Sequence, residues 1–242
     1  MHKTLNQLSD LKLLGMKQAL EQQLESPKSF DLSFEERLSY MVQNEVTLRE
    51  NNKIKRLTKN AKFMITISAD DLNYKNLDKS QISSILTLNW IGKNNLIITG
   101  STGTGKTYLS SAIGTQACNN KISVLYIKTS HLINDIKLSK LDGSYTKLFN
   151  KFIKPDLLII DDFGMQKLDT VDNEILDIFD HRYYSKSNIF IGQMPPSKWH
   201  DLFTNPTIAD ALLDRITSNA IKIILKGESL RKRVTEKNQL TN

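Results

Sequence analysis

Leucines recur at Leu5, Leu8, Leu11, Leu14, Leu20 and Leu24 with mostly polar residues between them. This three-to-four spacing predicts one amphipathic helix over residues 3–25. Ser26-Pro27-Lys28-Ser29 breaks the pattern. A new helix start follows, because Ser33 can cap and Glu36 stands three residues on, the capping-box spacing. From there Phe34, Leu38, Met41, Val42 and Val46 mark one apolar face that fades toward Leu57. The pair predicts a small N-terminal helical domain, residues 1–65. Its apolar positions are too few for a large core, so it is expected to pack on the rest of the chain or fold with a partner.

Residues 66–94 read as a connecting segment that ends in a helix from Ser80 to about Trp90. Beyond it, short apolar runs alternate with helical stretches. Strands are predicted at Leu96–Thr99, Val124–Ile127, Leu157–Ile160, Ile189–Ile191 and Ile221–Leu225. Helices are predicted at Lys106–Cys118, Ser130–Lys140, Ser144–Phe152, Val171–Tyr184 and Thr207–Thr217. Apolar strands separated by helices indicate an α/β domain over residues 95–242, a central parallel five-stranded sheet flanked by helices.

Charge changes this picture by suggesting a partner. The chain carries a net +7, gathered near its two ends. Arg49, Lys53, Lys55, Arg56, Lys59 and Lys62 stand against the single acid Glu50, and a second basic group follows Lys226. On a helix the first group forms two rows, Arg49/Lys53/Arg56 and Lys55/Lys59/Lys62, that can track a phosphate backbone. No base-reading motif accompanies them, so duplex DNA would be bound largely without sequence preference and with strong salt dependence. A solvated charged face is the competing reading. A loop of the α/β domain, or the tail from Arg231 to Lys237, are alternative DNA contacts.

Composition adds exclusions. At 39% hydrophobic and 24% charged residues the chain is of ordinary globular type. No apolar run approaches the ~20 residues of a membrane span, and MHKTLNQLSD lacks a signal-peptide core. The lone Cys118 falls in a predicted core helix, and the four histidines have no metal-ligand spacing. A cytoplasmic protein without a membrane partner is expected.

The chemistry is concentrated in residues 100 to 107, Gly-Ser-Thr-Gly-Thr-Gly-Lys-Thr. This is a complete phosphate-binding loop between a predicted strand and a predicted helix. Gly100 and Gly105 permit the tight turn, and the amides of Ser101, Thr102, Gly103 and Thr104 can surround a triphosphate. Lys106 brings a charge to the β- and γ-phosphates, the Thr107 hydroxyl is placed for Mg²⁺, and Tyr108 follows at the helix start. ATP and Mg²⁺ are the expected ligands. A second element completes the site: Leu157 to Ile160 is an apolar strand ending in Asp161 and Asp162. Such a strand delivers its last residues to the carboxyl edge of the sheet, Asp161 for Mg²⁺ and Asp162 to orient or deprotonate the attacking water. Phosphoryl transfer also calls for an arginine near the γ-phosphate. Arg215 and Arg231 are candidates, although the residues alone favour a solvated helix face for each of them.

The chain resembles the IstB-like ATP-binding proteins, ATPase helpers of bacterial insertion-sequence transposases. These are related to DnaC-type helicase loaders within the AAA+ ATPases. The markers are Leu32 to Leu38, the phosphate loop, Asp142-Gly143-Ser144-Tyr145, Leu157 to Gly164, Trp199-His200, Asn205 to Arg215 and Lys226 to Lys232. The resemblance covers nearly the whole chain. It implies an AAA+ P-loop NTPase with Arg215 as a finger acting on a neighbouring subunit and Arg231 as a sensor arginine. It further implies ATP-dependent self-assembly on duplex DNA and recruitment or regulation of a partner transposase. A helicase loader is the alternative with the same engine, and an adaptor that uses ATP only as an assembly switch is a third. One departure stands out. The family usually shows Thr-Ser-Gln after the fourth core strand, and this chain has Ile191-Gly192-Gln193. Gln193 must then sense the γ-phosphate alone, or another group must compensate, so slow turnover stimulated by DNA or transposase is expected.

Overall fold

The computed structural model describes residues 2–72, 78–168 and 170–227. The chain divides into two compact units, Met1–Arg56 and Leu57–Asn242. The division comes ahead of the boundary at 65 expected from sequence. Among the described residues no helix is long and apolar enough to cross a membrane.

The first unit holds α1 (His2–Asp10), α2 (Leu14–Glu25), a 3-10 turn at Pro27–Asp31 and the start of α3 (Phe34–Ala61). The single helix expected over residues 3–25 is in fact two. Lys12 adopts a left-handed φ of 60° between them, and α2 restarts on a cap from a distant residue. Glu45 Oε2 accepts the amides of Gly15 (2.7 Å) and Met16 (3.2 Å), satisfying donors that a helix N-terminus leaves open. Gly15 permits the approach, since a Cβ there would lie 2.6 Å from Glu45 Cα. The capping box at α3 forms as its spacing predicts: Glu36 Oε2 accepts the Ser33 amide at 2.8 Å, and Ser33 Oγ accepts the Glu36 amide at 3.3 Å. Among the described residues of this unit Ala19 has no exposed surface, whereas Phe34, Leu38, Val42 and Val46 are exposed.

The second unit is built on β1 (Asn95–Gly100), β2 (Val124–Lys128), β3 (Leu157–Phe163), β4 (Ser187–Gly192) and β5 (Ala220–Leu225). All pairings are parallel, in the order β2-β3-β4-β1-β5. Side chains alternate between the two faces, as strand geometry requires. Leu96, Ile98, Leu157, Ile159, Ile189 and Ile191 join one apolar cluster with α5 (Lys106–Asn119) and α4 (Lys79–Leu86). Ile97, Leu125, Leu158, Ile160 and Phe190 join the other. There they meet α6 (Thr129–Leu141), α7 (Tyr145–Ile153), α8 (Asp172–Arg182) and α9 (Pro206–Thr217). Residues 66–94, read from sequence as a connection, contribute Ile67, Leu72, Ile82, Ile85, Leu88 and Trp90 to the first cluster. They are a structural layer rather than a linker. Cys118 is buried within the same cluster, and burial pushes its thiol up to about 11 against a weaker lowering by Thr58.

Candidate nucleotide-binding site

β1, β3 and β4 bring the expected groups to one edge of the sheet, at the carboxyl ends where ligands of open α/β sheets sit. β1 ends at Gly100, and the loop into α5 turns through Gly103 and Gly105 with left-handed φ of 82° and 93°. Gly100 is required for a second reason: a Cβ there would lie 2.4 Å from the Leu225 carbonyl oxygen on β5. The Ser101 carbonyl accepts Thr104 Oγ1 at 2.9 Å, which ties the loop to itself. Lys106 Nζ reaches into its curve and donates to the Gly100 and Ser101 carbonyls at 2.8 and 2.7 Å.

A cavity of about 540 Å³ follows this loop. Thr102, Gly103, Gly105, Lys106, Thr107 and Tyr108 line one side, and Asp161, Asp162 and Gln193 line the other. Thus the phosphate loop and the end of β3 converge on one space. The contact is direct, with Thr107 Oγ1 donating to Asp161 Oδ2 at 2.8 Å. Tyr108 donates to the Asp71 carbonyl at 3.4 Å.

Asp161 is 3% exposed and held from several directions. Its Oδ2 also accepts the Tyr126 hydroxyl at 2.6 Å, its Oδ1 the Asp162 amide at 2.8 Å, and its carbonyl the Thr129 hydroxyl at 2.9 Å. Burial drives the Tyr126 pKa far up, and the Asp161 carboxylate drives it further, so the phenol stays a donor. Asp162 is more open. Its φ of 59° is left-handed, and its carboxylate lies 3.5 Å from Lys128 Nζ. The turn falls where the β3–β4 register shifts between Ile160 and Phe163, so that Phe163 stands opposite Gly192. At this crossing Gly192 fits a close backbone approach. A Cβ on Gly192 would lie 2.5 Å from the Phe163 carbonyl oxygen. Gln193 remains at the cavity with its amide 3.8 Å from Met165 Sδ.

The candidate finger arginine falls elsewhere. Arg215, on α9, donates to Asp180 Oδ1 at 2.6 Å and to the Ala211 carbonyl at 2.7 Å, and is not among the residues of the cavity. Arg231 lies outside the described residues. The basic rows on α3 are altered. Arg49 donates to Glu45 at 2.6 Å, and Lys53, Lys55, Arg56 and Lys59 follow on the helix. Lys62 departs from its expected row, because α3 ends at Ala61 and Lys62 turns away with a φ of 58°.

Tyr126, Lys128 and Thr129 were not singled out by sequence. Tyr126 sits inside an apolar strand and reads as core. The signal is positional: in the sheet order, the end of β2 lies beside the end of β3, with Lys128 paired to Asp161 in register.

The family described as IstB-like ATP binding protein matches residues 6–238. The chain belongs to this family. An insertion-sequence ATP-binding protein of Sinorhizobium fredii (strain NBRC 101917 / NGR234) is 35% identical over 236 residues, 96% of each chain. The ATP-binding protein of insertion sequence IS1162 from Pseudomonas fluorescens is 36% identical over 200 residues, 80% of this chain and 87% of its own. The crystal structure of the DnaC helicase loader shares the fold of the IstB-like chain. Its TM-score is 0.56 at 23% identity, over 66% of this chain and 96% of that chain. The fold is that of an AAA+ P-loop NTPase.

Proposed function

We propose that this protein is a Mg²⁺-requiring ATPase that assembles on duplex DNA and recruits or regulates the transposase of an insertion sequence. The contact between Thr107 and Asp161, in the cavity that also receives Lys106, carries the nucleotide half of this reading. Two hard oxygen donors from separate segments suit Mg²⁺, which takes one or two protein oxygens beside phosphates and water. Thr107 and Asp161 would hold it, and the ion supplies charge neutralisation at the β- and γ-phosphates. Among the described residues no group of three or more His, Cys, Asp or Glu side chains is placed to hold a metal by itself.

The chain's own groups divide the remaining work. Lys106 and the loop amides bind the triphosphate, Asp162 orients the attacking water, and Gln193 reads the γ-phosphate. Arg215 acts on the nucleotide of a neighbouring subunit, in keeping with its position away from its own cavity, and Arg231 serves as the sensor. Slow turnover raised by DNA or transposase is expected, because Lys128 faces Asp162 and Gly192 offers no hydroxyl. The net +7 supports a nucleic-acid partner, and relatives named for insertion sequences support transposition.

Sizing of wild type and R215A with ATP and duplex DNA tests this reading. Wild type should enter a large complex only with ATP, and R215A should be impaired in assembly with hydrolysis lowered about a hundredfold or more. Identical behaviour of the two proteins would remove Arg215 from the trans role.

A further inference from the structure

A second cavity, of about 400 Å³, lies along β2, a strand at the edge of the sheet. Basic side chains reach it from three places: Lys62 just past α3, Lys128 and His131 at the junction of β2 with α6, and Lys151 on α7. Asp135 is the acid in its wall, so three lysines stand against one aspartate. Lys151 Nζ lies 3.0 Å from Asp135 Oδ2 and keeps two further N–H donors. Met64, Leu125, Tyr126 and Ile127 complete the wall, and apolar walls strengthen the field of the charges they enclose. A cavity of this kind attracts phosphate.

The form of that phosphate follows from a comparison of the two cavities. The ATP site presents glycine-rich backbone and the first turn of a helix, converging on one small group. The second cavity has neither glycine nor arginine in its wall. Its cations are lysine point charges on separate elements, which position a chain of phosphates and do not grip one group bidentately. We infer that this cavity receives the phosphodiester backbone of duplex DNA, with Lys62 and Lys151 as its principal contacts. The inference rests on the DNA-binding half of the proposed function and places part of that contact on the ATPase unit. Lys128 borders the ATP site as well and is left out of the test.

The experiment is a salt titration of fluorescent duplex binding by the full chain, comparing wild type, K62A/K151A and the α3 variant K53A/R56A/K59A. The K62A/K151A pair should weaken binding at least about tenfold at moderate salt and reduce the slope of log K against log salt by about 1.8, roughly 0.9 per lost phosphate contact. ATP binding and the thermal midpoint should be unchanged. If the alanine pair unfolds, K62Q/K151Q keeps part of each stem and repeats the measurement. A wild-type slope in the substituted pair, with loss confined to the α3 variant, overturns this inference and leaves DNA binding intact. Absence of duplex binding by wild type overturns both. Inorganic phosphate at matched ionic strength provides the other arm. Stabilisation of wild type and not of the pair by millimolar phosphate would make the cavity a small-anion site and contradict a DNA role.

Discussion

Asp161 is buried, and its neighbours fix where its carboxylate points. Thr107 and Tyr126 share one carboxylate oxygen, while the Asp162 amide takes the other. In the function proposed above, Tyr126 would position the Asp161 carboxylate for the cation. Outer-shell partners of this kind change metal affinity by about tenfold or more. Y126F should therefore require about ten times more Mg²⁺ for nucleotide binding, with metal-free nucleotide affinity and thermal midpoint unchanged; a midpoint drop with an unaltered Mg²⁺ requirement would make the tyrosine merely structural. Gly192 is the converse case, a position where the backbone forbids a side chain. G192S should lose about 1–3 kcal/mol, the range for an overpacked interior, seen as a lower urea midpoint. A serine variant as stable as wild type would show that the Phe163 carbonyl yields easily. The residues of the phosphate loop and Asp161 were legible in sequence because their spacing is dictated by the ligand. Tyr126 was not, because nothing local distinguishes a tyrosine that packs from one that donates.

At the scale of elements, the five strands were legible because each is a short apolar run bounded by polar residues, and buried parallel strands have to be written that way. Their ends were read short at β3, where the sequence Asp-Asp-Phe continues the strand through a bulge that periodicity does not show. The start of the chain was misread for another reason. Its leucine spacing continues across the break at Lys12, and the cap that begins α2 comes from Glu45, far along the chain. Local pattern cannot reveal a tertiary cap. Burial alone would raise the pKa of Glu45, but Arg49 and the amides of Met16 and Gly15 together hold it below the usual carboxylate range. E45A should destabilise α2 by about 1–2 kcal/mol, the loss typical of a removed helix cap. Hydrogen exchange at the first turn of α2 is the measurement, and unchanged protection there would refute the cap. The stretch from 66 to 94 was read as a connection because its apolar residues are spaced irregularly. Its burial against α5 and one sheet face becomes visible only in three dimensions.

Across the whole molecule, two apolar clusters on opposite faces hold the sheet, and the sheet holds the site. Arg182 closes the end opposite the cavity. Fully buried, it donates to Asn188 Oδ1 and to the carbonyls of Phe152, Pro155 and Ser187 at 2.6 to 2.8 Å, joining α7, α8 and β4. Burial lowers its pKa, opposed by the charge of Asp156. This scaffold leaves the loop, Thr107 and Asp161 pre-placed, and in the proposed function they form one magnesium–nucleotide site. Titration of a fluorescent ATP analogue into wild type, K106A and D161N, with and without Mg²⁺, tests it most directly. Wild type should saturate, K106A should bind at least about tenfold more weakly under both conditions, and D161N should be weakened only when Mg²⁺ is present. Equal uptake by all three proteins, or none by wild type, would contradict the account.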